Sequence, residues 1–309
     1  MAYTKKEISV PSSDGLHMLK GVTYIPQGEI KGIFHLVHGM REYIGRYEHF
    51  LPFFAENGFV CVGYDHLGHG NTANEGELGF IAEKGGYKYL VEDVYRFAEH
   101  IKSEFPDLPY ILMGHSMGSF IVRLAATRYR DIADKLIICG TAGSNPVASV
   151  GIALARILAK IKGSRAYSPL IESMAFGSYN KYFEGDTPYE WLTKDKEAIA
   201  KYQADKFCNY HFTISALADL ITLTYKCNLN TWYIDMPKKL PILLVSGADD
   251  PVGNYGKGVR EVYNKLKKSG AEDVTIHLYE NCRHEIHNDS CKEESRNDIL
   301  EFIIKSLRT

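Results

Sequence analysis

Three side chains in this sequence have the types and the chain order that acyl transfer by a serine requires: Ser116, then Asp250, then His284. Ser116 sits in Gly114-His115-Ser116-Met117-Gly118, which has the form G-x-S-x-G. The apolar run Pro109-Tyr110-Ile111-Leu112-Met113 precedes it, and the helix-like stretch Ser119–Ala126 follows it. Strand, sharp turn and helix together form the context of a nucleophile elbow, which exposes a serine hydroxyl above a sheet. The flanking glycines belong to that geometry, because side chains there would collide with the neighbouring strand and helix. A serine hydroxyl is a weak nucleophile until a base takes its proton and an acid orients the base.

Candidates for both follow in order. Leu240–Gly247 reads as a buried strand, and Ala248-Asp249-Asp250-Pro251 comes directly after it. Val274–Tyr279 alternates like a last strand, and Glu280–Glu285 is the loop beyond. A carboxylate and an imidazole thus each stand just past the carboxyl end of a strand, the edge where open α/β sheets bind ligands. Asp250 is preferred to Asp249, because the residue before a proline is held extended and can aim its side chain outward. Taken alone the two aspartates read as an acidic turn; coupled to the elbow they read as the source of the triad acid. The oxyanion hole is expected from the N–H of Met117, just after the nucleophile, and the N–H of Met40, in the loop after the strand Ile33–Val37. His38, before Gly39 at that strand end, is expected to pack or hydrogen-bond locally rather than act as a base.

These loops need a sheet to carry them. A hairpin is expected around Ser13-Asp14-Gly15, and strands near 31–38, 58–65, 109–113, 135–140, 241–246 and 273–279. Helices are expected near 45–57, 85–105, 116–130, 253–269 and 290–307. The alternation describes a mostly parallel sheet with helices on both faces. It breaks between about 142 and 236, a stretch far longer than a crossover. The expected organisation is therefore a core of residues 1–141 and 237–309 with a helical cap at 142–236 over the carboxyl ends of the strands. The apolar segment Val147–Leu158 and the aromatics Tyr167, Phe176, Tyr179 and Trp191 suit an acyl-chain tunnel, or an amphipathic face in contact with a membrane surface.

Composition excludes other classes. A chain of 309 residues with a net charge of -2 shows no sign of nucleic-acid binding. Its start lacks the apolar stretch of a signal peptide, and no run reaches transmembrane length, so a cytoplasmic protein is expected. The six scattered cysteines are expected to be buried thiols. His284-Glu285-Ile286-His287 is one residue short of the zinc motif H-E-x-x-H and has no third ligand, so no metal is expected. Acyl transfer through Ser116 needs no cofactor.

The chain resembles the monoacylglycerol lipase and lysophospholipase branch of the α/β-hydrolase fold. The resemblance rests on His38-Gly39-Met40-Arg41-Glu42-Tyr43, Gly45-Arg46-Tyr47 and Asp65-His66-Leu67-Gly68-His69-Gly70, together with the elbow, Gly247-Ala248-Asp249-Asp250 and His284–His287. It implies an eight-stranded, mostly parallel sheet, a helical cap, and hydrolysis of single-chain acyl esters of glycerol or glycerophospho head groups. Glu42, Arg46 and His287 match positions that line the polar end of the pocket in that branch. By chemistry alone they can bind a glycerol diol, or form an ion pair that braces the oxyanion loop. The chain departs from the family pattern at Met40, Arg41 and Tyr43, where the family has a small residue, a glycine and a histidine. An aminopeptidase or amidase on the same scaffold would need an acidic cluster in the cap, for which Glu184 and Asp186 are the candidates. A non-catalytic ligand-binding protein of this fold would have no use for a triad.

Overall fold

The structure, a computed structural model, describes residues 2–305. Eight strands form one sheet: β1 (Tyr3–Pro11), β2 (Met18–Pro26), β3 (Gly32–Val37), β4 (Phe59–Tyr64), β5 (Tyr110–His115), β6 (Lys135–Cys139), β7 (Ile242–Gly247) and β8 (Val274–Tyr279). Their spatial order is β1-β2-β4-β3-β5-β6-β7-β8. β1 pairs antiparallel with β2, and β2 with β4; every later pairing is parallel. The β1–β2 hairpin turns where Ser13-Asp14-Gly15 predicts it. Asp14 accepts hydrogen bonds from the N–H groups of Leu16 and His17 at 2.9 and 3.0 Å, and Gly15 takes a φ of 75°.

β3 to β7 are buried along their whole length. That is why they read as unbroken apolar runs, since a parallel sheet is covered on both faces. Alternate residues face opposite layers. Ile33, Leu112, Ile138 and Leu244 pack with α2 (Tyr87–Glu104), α3 (Met117–Arg128) and α9 (Lys257–Lys268). Phe34, Ile111, Ile137 and Leu243 pack with α1 (Leu51–Glu56) and α10 (Lys292–Ile304). Burying one such side chain contributes about 1.5–3 kcal/mol before entropy is counted.

Two predicted helices differ. The stretch 45–57 divides into a 3-10 turn at Ile44–Tyr47 and the short α1, because Pro52 has no N–H to donate and is tolerated only in a first turn. α9 starts at Lys257 rather than 253, because Asn254, Tyr255 and Gly256 have φ of 49°, 54° and 77°, a left-handed run no helix can contain. The helix expected over 290–307 is α10, and the ends of that prediction at 306 and 307 lie outside the described residues.

Residues 142–236 join β6 to β7 and carry α4 (Ala148–Lys162), α5 (Pro169–Phe176), α6 (Lys196–Ala204), α7 (Ile214–Lys226) and α8 (Asn230–Asp235). Arg123 of α3 is fully buried and holds both ends of this insertion. Its guanidinium donates to Thr141 Oγ1 at 3.1 Å and the Ala142 carbonyl at 3.2 Å on one side. On the other it meets Asn228 Oδ1 at 3.1 Å and lies 4.3 Å from the Trp232 ring. No helix among the described residues is long and apolar enough to cross a membrane.

Candidate active site

Ser116 occupies the junction between β5 and α3 with φ 52° and ψ -120°, a conformation that ordinary residues avoid. Two close approaches force it. A Cβ at Gly118 would stand 2.1 Å from the Val37 carbonyl oxygen, and one at Gly114 would stand 2.3 Å from the Gly118 oxygen. Strand β3, strand β5 and α3 therefore meet with no room for side chains, and the chain reverses on the serine between them. The Ser116 N–H is tied to the Cys139 carbonyl at 2.9 Å.

β7 and β8 deliver the other two groups. The His284 ring donates from Nδ1 to Asp250 Oδ2 at 2.9 Å. Asp250 Oδ2 also accepts from Ser246 Oγ at 3.1 Å, and its Oδ1 from the Val252 N–H at 2.8 Å. Both side chains are buried, at 2 % and 0 % exposure, so their pairing is not diluted by solvent. Asp249, one residue away, faces outward and pairs with Lys194 at 3.7 Å. The His284 ring lies 4.8 Å from His115 and 5.1 Å from Trp191, a residue of the insertion.

The loop after β3 runs beside the serine. A Cβ at Gly39 would stand 2.9 Å from Ser116 Cβ and 2.6 Å from Glu42 Oε1, so only glycine permits the approach. Met40 follows on the wall of the cavity. The N–H of Met117 is the first of α3 and has no acceptor within the helix. His38 is turned away into the interior, its Nε2 accepting the His66 N–H at 3.0 Å.

Glu42 and Arg46 belong to one buried network. Glu42 Oε1 accepts from the Gly39 N–H at 2.5 Å, the Tyr47 hydroxyl at 3.0 Å and His115 Nδ1 at 3.1 Å. Arg46 donates to Glu42 at 3.1 Å and grips both oxygens of Glu285 at 2.7 and 2.8 Å. Burial alone would raise both carboxyl groups. The His115 bond and the Arg46 charge hold Glu42 below its ordinary value, and Arg46 holds Glu285 lower still. Burial would likewise depress His115, but the bond to Glu42 overrides it and raises the imidazole. The network joins the loop at Gly39, the elbow at His115 and the loop at Glu285.

His287 is placed differently from the pocket position that the resemblance implies. It is buried outside the cavity lining, with its ring stacked 4.6 Å from Tyr47, and burial pushes its pKa well below the ordinary imidazole range. Neither ring nitrogen has a partner among the described residues.

Above Ser116 lies a cavity of about 720 Å³, within the range of small-molecule sites. Ser116, Met40 and Phe120 line it from below, and Phe176, Trp191 and Leu220 line it from the insertion. Glu184 and Asp186 are exposed and lie outside it. The four carboxylates that do border it are Glu42, Glu172, Glu261 and Glu285. Each already faces a cation: Glu42 and Glu285 face Arg46, Glu172 faces Arg41, and Glu261 faces Lys265. The contacts of Trp191, Arg41 and Arg123 were not foreseen from the sequence. Only the apolar or charged type of each residue was visible there.

The chain is similar over most of its length to known hydrolases. The Hydrolase_4 family, described as serine aminopeptidase, S33, matches residues 28–291. A monoacylglycerol lipase of Mycolicibacterium smegmatis is 26 % identical over 98 % of this chain and 99 % of that one. A monoglyceride lipase of Mus musculus is 24 % identical over 85 % of this chain and 78 % of that one. The solved structure of a highly thermostable carboxyl esterase from Bacillus coagulans, in complex with glycerol, superposes with a TM-score of 0.93. It is 33 % identical over 98 % of this chain and 99 % of that one. With the eight-stranded sheet and the strained serine between β5 and α3, these matches place the chain in the Hydrolase_4 family of the α/β-hydrolase fold.

Proposed function

We propose that this protein is a serine hydrolase of carboxylic esters that carry a single acyl chain, with monoacylglycerols as the substrate class and lysophospholipids as the nearest variant. The observation that carries the reading is the φ of 52° at Ser116, which presents a serine beneath a largely apolar cavity; in this reading the buried His284–Asp250 pair supplies its base and orienting acid. The similar lipases and the glycerol-bound esterase support the same class. Ser116 Oγ attacks the acyl carbon while His284 Nε2 takes its proton. Asp250 keeps the Nδ1 tautomer and stabilises the imidazolium. The Met40 and Met117 amides stabilise the oxyanion. The C–O bond breaks as His284 returns the proton to the glycerol oxygen. Water then repeats the sequence on the acyl-serine, releasing the fatty acid and restoring Ser116.

Residues 142–236 act in this reading as a cap whose apolar wall holds the acyl chain. Its outer face supports contact with a lipid surface. Val147, just before α4, and Val150, Ile157 and Ile161 along one side of it are exposed, Leu170 and Met174 are exposed on α5, and Arg156, Lys160 and Lys162 flank them. Such a stripe suits an interfacial helix. Six buried thiols suit a reducing compartment, and we place the protein in the cytoplasm.

The family description raises a peptidase as the second reading. A free amino terminus needs an unpaired carboxylate, and the four at the cavity are each matched to a cation. Fluorophosphonate labelling and a hydrolysis screen decide. Wild type is expected to label at Ser116 and to cleave monoacylglycerols, and Ser116→Ala to lose both properties while folding normally. Faster cleavage of aminoacyl amides than of any acyl ester would establish the peptidase instead.

A further inference from the structure

Arg41 follows Met40 with a φ of 57°, a left-handed conformation that is unfavourable for a residue with a side chain. Such strain persists where surrounding contacts over-determine it. Here every one of those contacts crosses to the insertion. Nε donates to the Cys208 carbonyl at 3.3 Å, one terminal nitrogen to the Tyr189 hydroxyl at 2.9 Å, and the other to Glu172 Oε1 at 3.4 Å. The guanidinium also lies 5.6 Å from the Tyr189 ring. Two residues on, the Tyr43 hydroxyl donates to Asp205 Oδ2 at 2.8 Å, and its ring meets Phe207 edge-on at 5.2 Å. The short loop that carries Met40 is thus gripped at both 41 and 43. The same insertion holds the opposite wall through its backbone. Its Leu192 carbonyl accepts the Glu285 N–H at 2.7 Å, and its Trp191 carbonyl the His284 N–H at 3.4 Å.

We infer that Arg41 is a positioning residue: by clamping the loop after β3 to residues 172, 189 and 208, it lets the docked insertion set the direction of the Met40 N–H beside Ser116. The inference rests on the reading of Ser116 and Met40 given above. It makes the insertion part of the catalytic geometry and not a detachable cover. The clamp acts on the oxyanion, which every ester forms, so its loss is felt by an acetyl ester too short to reach the acyl wall. A guanidinium that bound the substrate head group would instead change affinity.

The test is Arg41→Gly, which relieves the φ strain while removing the clamp, assayed on p-nitrophenyl acetate and octanoate. The expected result is a fall in kcat of about tenfold to a hundredfold on both esters, with KM within about twofold, because a misplaced oxyanion donor costs rate rather than binding. Tyr43→Phe should move kcat in the same direction by less, and Arg41→Lys should lie between glycine and wild type. These two variants keep the loop backbone and carry the test if the glycine variant melts early. An unchanged kcat on the acetyl ester, or a loss confined to KM, overturns the clamp. Wild type that fails to label with fluorophosphonate at Ser116 overturns the underlying reading instead. A labelled wild type with an indifferent Arg41→Gly overturns the clamp alone.

Discussion

The carboxylate of Asp250 meets the His284 ring at 2.9 Å, while that of Asp249, its neighbour in the chain, is directed to Lys194 at 3.7 Å. Asp249 lies in the turn that the Asp250 N–H closes on the Gly247 carbonyl at 3.3 Å, whereas the Asp250 carboxylate is held inside by Ser246 Oγ and the Val252 N–H.

Asp250→Asn is accordingly expected to lower kcat by about a thousandfold to ten-thousandfold through loss of the correct histidine tautomer. Asp249→Asn should stay within about threefold, since it gives up only a half-exposed ion pair. Steady-state kinetics on one ester suffices, and the reverse order of effects would reassign the triad acid.

The Glu42–His115 pair predicts a window in stability against pH. Glu42 is held below its ordinary 4.5, so its contribution is present above that value and is lost as pH falls through the folded pKa. His115 is raised above its ordinary 6.5, so its contribution is complete below that value and is lost as pH rises through the folded pKa. Both are complete only between 4.5 and 6.5. The difference in unfolding free energy between wild type and Glu42→Gln should be widest there and shrink as pH rises through the folded pKa of His115. Urea denaturation at the two ends measures it, and a gap that grows with pH would mean that the imidazole carries no charge beside Glu42.

Arg46 stands between two buried carboxylates, Glu42 and Glu285. Arg46→Met leaves Glu285 without a cation, while Glu42 keeps His115, and should cost about 3–5 kcal/mol. Chemical denaturation reads this directly. A loss under about 1 kcal/mol would show that water reaches the pair.

Arg123 ties Thr141 and Ala142 to Asn228 across the two ends of the insertion. Arg123→Leu strands several buried acceptors, each costing about 1–3 kcal/mol. The melting temperature should fall steeply, and limited proteolysis should cut first between residues 142 and 236. Cleavage that begins elsewhere would remove Arg123 as the anchor of that segment.

The exposed stripe on α4 predicts a charge-sensitive association with lipid vesicles. Val150→Asp with Ile157→Asp should abolish flotation with anionic vesicles and leave kcat on a water-soluble acetyl ester within about twofold, because both side chains are exposed and neither lines the cavity above Ser116. Flotation that survives both substitutions would place the contact on another surface.

What the sequence by itself determined is what short-range patterns encode. The apolar run 109–113, two glycines and a helical stretch were enough to locate Ser116, because a strained strand-to-helix turn needs those residues within a few positions of one another. The preference for Asp250 over Asp249 is likewise a local reading, from the restriction that Pro251 places on the residue before it. The helix breaks at Pro52 and at Asn254–Tyr255 were also local, but they depend on a missing N–H and on positive φ values, to which a hydrophobic pattern is blind.

Only the tertiary structure decided which long side chains meet. His287 lies three residues from His284 in a loop without periodicity, and the loop turned it towards Tyr47 and away from the cavity. Arg41 finds Cys208, and Arg123 finds Asn228, across more than a hundred residues of chain. Such partners are chosen by the packing of the insertion on the sheet, where an unpaired buried charge costs more than the bending of a loop to reach it. The strained turn at Ser116 is therefore written in the local sequence, whereas the contacts that fix the loops around it exist only once distant segments have packed.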